Sequence, residues 1–129
     1  MASVLAESFM QALQETERTG DVEPIVQLFS DDAELERLAQ TLVERGKRGA
    51  EQFWHEYLRV FRQVHSEFGP VTEQDGRTVL EWTSEGELNN GDPVRYAGVS
   101  VIESSDGQIR RFRTYYDASV FTVLSAAKA

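Results

Sequence analysis

Arg113, Tyr115 and Asp117 fall at alternate positions of one extended run near the C-terminus. Alternate side chains of a strand share a face, so Ile109, Arg111, Arg113, Tyr115 and Asp117 point one way if no bulge intervenes, about 6.6 Å apart at each step. Tyr115 then reaches the same ligand as Asp117, while Arg113 stands about 13 Å along the strand from that aspartate. An arginine stays charged wherever it is placed, so inside a pocket it requires an anionic or strongly polar partner. Arg113 therefore either orients the carbonyl or carboxylate of a ligand or is tied across the sheet to Glu81, Glu85 or Glu103.

Aromatic residues supply candidate walls. On a second run Val94, Tyr96, Gly98, Ser100 and Ile102 share a face, and Trp82 lies on the run before it. Ala50, Phe53, Trp54, Tyr57, Leu58, Phe61 and Val64 recur with a helical period, and the middle of that stripe offers Trp54, Tyr57 and Phe61. Such a stripe packs a core or lines a pocket. Trp and Tyr carry polar tips that need partners, so a lining of Trp54, Tyr57, Trp82 and Tyr96 suits a flat, apolar, sparsely oxygenated ligand. His65 sits at the margin of the stripe and His55 well off it. Their ten-residue separation is not a helical metal pair, and no His-Glu-x-x-His motif, carboxylate loop or Gly-rich nucleotide fingerprint occurs. The expectation is a site with no metal and no cofactor.

Composition narrows the partners. The 129 residues carry 13 Lys and Arg against 22 Asp and Glu, a formal charge of −9. Phosphate backbones and anionic lipid heads repel such a chain, so neither nucleic acid nor a membrane surface is expected as a partner. The basic cluster Arg110–Arg113 lies among Glu103, Asp106 and Asp117 and makes no broad basic face. The cysteine count is zero, which removes disulfides, thiolate metal sites and a thiol nucleophile and fits a reducing compartment. No apolar run approaches a membrane span, and Met1–Phe9 lacks the basic start and apolar core of a signal peptide. A single cytoplasmic domain over residues 1–129 is expected.

Positioning these residues takes two kinds of element. Up to about Phe68 the apolar period is helical, with Leu5, Phe9 and Leu13 at four-residue spacing and Thr19-Gly20-Asp21 ending one helix and capping the next. Helices are predicted near residues 3–19, 22–30 and 47–67, with a short strand over Ala33–Leu38. Gly69-Pro70 reads as the end of the third helix. Beyond it, turns at Asp75-Gly76, Asn89–Asp92 and Asp106-Gly107 separate β-rich runs, which predicts an antiparallel meander from about 70 to 122. Helices preceding a curled antiparallel sheet make an α+β domain with a conical pocket between them.

Several segments carry a resemblance. Trp82-Thr83-Ser84-Glu85-Gly86, Gly91–Val99 and Gly107-Gln108-Ile109 through Phe112–Asp117 resemble the SnoaL-like branch of the nuclear transport factor two-like superfamily. Thr19-Gly20-Asp21, Leu28–Ala33 and Gly49–Phe53 are similar to the helix–helix–strand–helix opening of that superfamily. The resemblance spans roughly Ala6 to Phe121. It implies a cone-shaped α+β fold, of the cystatin-like type, with a homodimer through the outer sheet face, where alternating Val, Ile and aromatic groups are expected.

The resemblance also bears on activity. The tyrosine, protonated aspartic acid and base aspartate of steroid isomerases of this fold fall on Leu13, Val99 and Arg37, none of which can do that chemistry. The arginine and first aspartate of limonene epoxide hydrolases fall on Trp82 and Ser84. SnoaL-type polyketide cyclases use an aspartate at the position of Asp117 as general acid/base, which makes Asp117 the catalytic candidate, with Tyr115 beside it and His65 as a possible second acid/base. Its pKa would be lifted toward neutrality by an apolar wall. Two readings result. One is a cofactor-free isomerase, cyclase or lyase acting on a polycyclic or terpenoid-like substrate, with Arg113 and Tyr96 positioning oxygens. The other is a non-catalytic module that binds a small apolar ligand or dimerises.

Overall fold

The computed structural model describes residues 3–37, 43–117 and 119–121. Helix α1 (Val4–Thr19) begins where the Ser3 side chain accepts the Ala6 amide and stops at Gly20, whose left-handed backbone lets its N–H reach the Thr16 carbonyl. It buries Phe9, Ala12, Leu13 and Thr16. Helix α2 is a single turn, Glu23–Val26. The expected second helix to residue 30 is cut short because the chain enters the sheet at Phe29. There strand β1 (Phe29–Arg37) lies beside β6, and Ile109 donates to the Leu28 carbonyl. The predicted strand over Ala33–Leu38 is thus a longer β1, with Leu38 outside the described residues.

Strand β2 (Glu44–Arg45) leads into helix α3 (Gly46–Arg59). The helix predicted to residue 67 ends eight residues early, and Phe61–Gln74 is strand β3. The spacing Phe61 to Val64 fits a helix, but it equally fits a strand with one extra residue. The β3–β4 register does shift between Phe61 and Gln63. A hydrogen bond from Asn89 Nδ2 to the Arg59 carbonyl (2.6 Å) closes the end of α3. Gly69-Pro70 stops no helix. It lies where the β3 register shifts again, between Phe68 and Val71, a position at which a strand tolerates proline.

Strands β4 (Arg77–Leu88), β5 (Pro93–Ser105) and β6 (Gln108–Tyr116) complete the meander, with the three turns where the sequence placed them. The sheet order is β2-β1-β6-β5-β4-β3. Pairing from β3 to β6 is antiparallel, as expected, but β1 joins β6 in parallel, so the sheet is mixed. The predicted end of the sheet at residue 122 lies outside the described residues. The helices cover one face of this curled sheet. Phe9, Phe53, Trp54 and Phe112 form the aromatic centre of the core, with ring centroids 4.9 to 6.1 Å apart where they touch. Among the described residues no helix is long and apolar enough to cross a membrane.

Two positions on the sheet generate predictions. A Cβ added to Gly98 would stand 2.4 Å from Trp82 Cζ2 and 2.5 Å from the Tyr115 carbonyl oxygen. Gly98→Ala should therefore lower stability by about 2 kcal/mol through overpacking, read by urea denaturation, and should shift the Trp82 environment in near-UV circular dichroism. Asn89→Ala removes the bond to the end of α3 and should cost about 1 kcal/mol in the same denaturation experiment.

Candidate functional site

The inner face of the sheet is set by a bulge in β6. Glu103 pairs with Arg111 and Ser104 with Ile109, so Arg110 is an extra residue. Burial accordingly passes from Ile109 to Phe112 and Thr114 rather than from Ile109 to Arg111. Phe112, Thr114 and Tyr116 face the cone interior, while Arg111, Arg113 and Tyr115 turn outward. The expected grouping of Ile109, Arg111, Arg113, Tyr115 and Asp117 on one inward face is corrected by that single residue.

Asp117 follows the last residue of β6, is exposed, and accepts hydrogen bonds from the Ser119 hydroxyl (2.6 Å) and amide (3.0 Å). The hydroxyl and amide of Ser119 hold its carboxyl below the usual aspartate range, opposite to the expected lift. Arg113 donates from Nη2 to Glu103 Oε2 (2.9 Å) in an ion-paired ladder that also engages Arg111 and Arg77. The cross-strand pairing weighed for Arg113 is the one the structure contains. His65 is exposed on β3, with Nε2 3.6 Å from Glu67 Oε1, and His55 is exposed on α3. The outer face carries Val79, Val99, Val101 and Tyr115 among these charges instead of an unbroken apolar alternation.

The aromatic candidates converge. Trp54, Tyr57, Trp82 and Tyr96 all line one cavity inside the cone, together with Arg37, Phe112, Tyr116 and several hydroxyl-bearing residues. Phe61 does not line it but closes one end, stacked on Tyr96 with ring planes 7° apart and in contact with Phe121. The cavity offers about 50 Å³. That is room for roughly four water molecules and far below the few hundred Å³ of a drug-sized site. Wider depressions on the outer face, such as one beside His65 and Arg95, are shallow and lined mainly by solvated side chains.

Sequence reasoning missed the polar groups of this interior. Glu17 accepts from Tyr57 Oη (2.6 Å), from the Ser66 amide (2.7 Å) and from Ser66 Oγ (2.5 Å). Ser66 thereby commits its one hydroxyl proton, so in the Ser66–Ser84 contact (2.6 Å) Ser84 is the donor. Ser84 in turn interacts with the Tyr96 hydroxyl. A directed chain thus runs from Ser84 through Ser66 to the Glu17 carboxylate on α1, with the Tyr96 hydroxyl beside its start. Burial first, and the neighbouring phenol and Glu17 after it, pushes Tyr57 well above the ordinary tyrosine value. Burial, then Tyr116 and Glu17, does the same to Tyr96. Both phenols stay protonated and act as donors. The signal for Glu17 was available: it continues the four-residue spacing of Phe9 and Leu13 on the inward stripe of α1. On the far wall Trp82 Nε1 donates to Ser100 Oγ (3.0 Å), which contacts Thr114 Oγ1 (2.9 Å).

Arg37, at the end of β1, brings a charge to the cavity. Its side chain is 10% exposed, Nη2 donates to the Phe53 carbonyl (2.8 Å), and the guanidinium carbon lies 3.7 Å from the centre of the Phe53 ring. Burial lowers its pKa, opposed by Tyr116, Glu56 and Glu44. The nearest carboxylate oxygen, on Glu56, is 3.8 Å away. Trp54 Nε1 is buried with no partner among the described residues. No group of three His, Asp or Glu side chains there is placed to hold a metal.

The fold recurs widely. A protein of ketosteroid isomerase-like fold from Catenulispora acidiphila, crystallised with trimethylamine, is 13% identical, with 98% of this chain and 95% of that one covered and a TM-score of 0.83. TerC, co-crystallised with polyporic acid, is 18% identical, with 93% and 94% covered and a TM-score of 0.79. A protein described as a SnoaL-like polyketide cyclase from Jannaschia sp. CCS1 is 14% identical, with 100% and 97% covered and a TM-score of 0.78. No curated protein matches the chain. The sequence itself matches the SnoaL-like domain over residues 6–112. With the curled sheet, the helices on its inner face and that match in agreement, the chain belongs to the SnoaL-like family of the nuclear transport factor two-like cone fold.

Proposed function

We propose that this chain is a non-catalytic binding domain that holds a small organic ligand in its cone, walled by Trp54, Tyr57, Trp82 and Tyr96. The observation that carries this reading is the convergence of four ring side chains with polar tips on one cavity, while the acid/base candidate Asp117 sits outside it, hydrogen-bonded to Ser119. An aspartate whose ionised form is favoured is a poor general acid at neutral pH, and Tyr115 faces away from the cone beside it. The room available favours a ligand of few heavy atoms over a polycycle. Trimethylamine, present with the Catenulispora protein, is a ligand of that size. Exposed Asp117, and cavity-lining residues that include no Asp or Glu among those described, with Glu17 engaged by Tyr57 and Ser66, weigh against a cyclase or isomerase mechanism. The homodimer remains part of the proposal. Val79, Val99, Val101 and Tyr115 form a half-buried apolar centre on the outer face, rimmed by Arg113 and Glu103.

Small organic fragments of up to about six heavy atoms should quench or shift tryptophan fluorescence, because Trp54 and Trp82 both line the cavity. Leu13→Phe, which puts a ring into the same space, should abolish the response, and Asp117→Asn should leave it unchanged. Loss of binding in Asp117→Asn, or conversion of a fragment to product that depends on Asp117, would overturn the non-catalytic reading. Sedimentation at micromolar concentration should show two copies, and a monomer would remove the dimer.

A further inference from the structure

The cavity wall is unevenly supplied with partners. Trp82, Ser100 and Thr114 satisfy one another, and Tyr57, Ser66 and Ser84 direct their protons toward Glu17. Trp54, which lines the same cavity, is 3% exposed and its indole N–H has no acceptor among the described residues. A buried donor left unmatched costs on the order of 1–3 kcal/mol, so an acceptor in the cavity would be held there. Arg37 reaches the same cavity and is the one charged side chain among its described lining residues. The Phe53 carbonyl anchors Arg37 (2.8 Å), and both Arg37 and Trp54 line this one cavity. A guanidinium has five N–H donors; the Phe53 carbonyl takes one, Tyr116 interacts with the group, and Glu56, ion-paired at 3.8 Å, is too far for a direct hydrogen bond, which leaves donors for a ligand. Glu44 and Glu56 do not line the cavity.

We propose that the cone selects a small carboxylate, with its oxygens received by the Arg37 guanidinium and the Trp54 indole N–H and its short carbon tail against the aromatic wall. This rests on the reading of the cone as a ligand site. An ammonium ligand would be repelled by the Arg37 charge, and a neutral one would add no counter-charge to the ion pair that Arg37 makes with Glu56 at 3.8 Å. The available room limits the acid to a few carbons, in the range of propionate or isobutyrate.

The test is a titration of the full chain, 15N-labelled, with isobutyrate, isobutyramide and trimethylammonium in parallel. The indole signal that vanishes in Trp54→Phe belongs to Trp54. Isobutyrate should move that signal downfield and bind about tenfold or more tightly than the amide, the difference expected of a charge-assisted hydrogen bond. Arg37→Lys, which keeps the charge but not the planar fork, should weaken isobutyrate several-fold and weaken isobutyramide less. Arg37→Met should abolish the preference for the acid, with the amide resonances confirming that the variant folds. If isobutyramide or trimethylammonium binds as tightly as isobutyrate and perturbs the same indole, the carboxylate inference falls while the ligand-binding cone stands. If no fragment of any charge perturbs either indole, both fall.

Discussion

One inserted residue decides what the interior of this cone is made of. Arg110 interrupts the pairing of β5 with β6, and a strand with one extra residue exchanges its two faces beyond that point. Without it Arg111 and Arg113 would enter the core and Phe112 would leave it, which no arrangement of the α3 aromatics could tolerate. Arg110 is itself anchored, with Nη1 3.1 Å from both carboxylate oxygens of Asp32 and Nη2 3.6 Å from Asp106. These pairs are exposed and individually weak. They act on the register, not on the total stability, by occupying the side chain of the residue that the ladder leaves unpaired.

Element types were legible where local signals were unambiguous. Ser3 and Gly20 bound α1, and Asp75-Gly76, Asn89–Asp92 and Asp106-Gly107 make turns because each contains residues that adopt the backbone a tight reversal needs. The extent of α3 was not legible, because Phe61 and Val64 are three apart in a helix and also three apart across a bulged strand. Nor was the parallel pairing of β1, which depends on Phe29–Arg37 meeting the outer edge of β6 after the meander has curled. The site divides along the same line. Trp54, Tyr57, Trp82 and Tyr96 sit on elements with undisturbed period at those positions and converge as the pattern implied. Arg113, Tyr115 and Asp117 lie beyond the Arg110 bulge, and their alternation counted from Ile109 is reversed.

The polar interior follows from having aromatics with polar tips in a closed space. Each Trp and Tyr brings a donor that burial makes expensive to leave unmatched, so hydroxyls must come from the facing strands. Ser66, Ser84, Ser100 and Thr114 are all buried and lie on four adjacent strands, β3 to β6. They form two separate chains. One ends on Glu17 and ties α1 to β3, reinforced by Gln14 donating to the Ser66 carbonyl (3.0 Å). The other stays within the sheet, from Trp82 through Ser100 to Thr114. A satisfied network of this kind holds ring orientations fixed, which keeps a narrow cavity from collapsing onto its own walls.

Arg37 stands apart from both chains. Removing a guanidinium from water carries a penalty of several kcal/mol, which the ion pair with Glu56 at 3.8 Å offsets only in part. The face of the group stacked on Phe53 and the bond to the Phe53 carbonyl recover part of that loss and also fix where the charge lies. Two features then point the same way. The charge is held by rigid elements, β1 and α3, and the one unmatched indole donor of the cavity belongs to the next residue of the same helix. A hydrophobic residue at position 37 would pack this wall more cheaply. The sequence instead retains a desolvated cation in a wall that also holds Trp54 with its unsatisfied N–H, an arrangement that an acceptor entering the cone would stabilise.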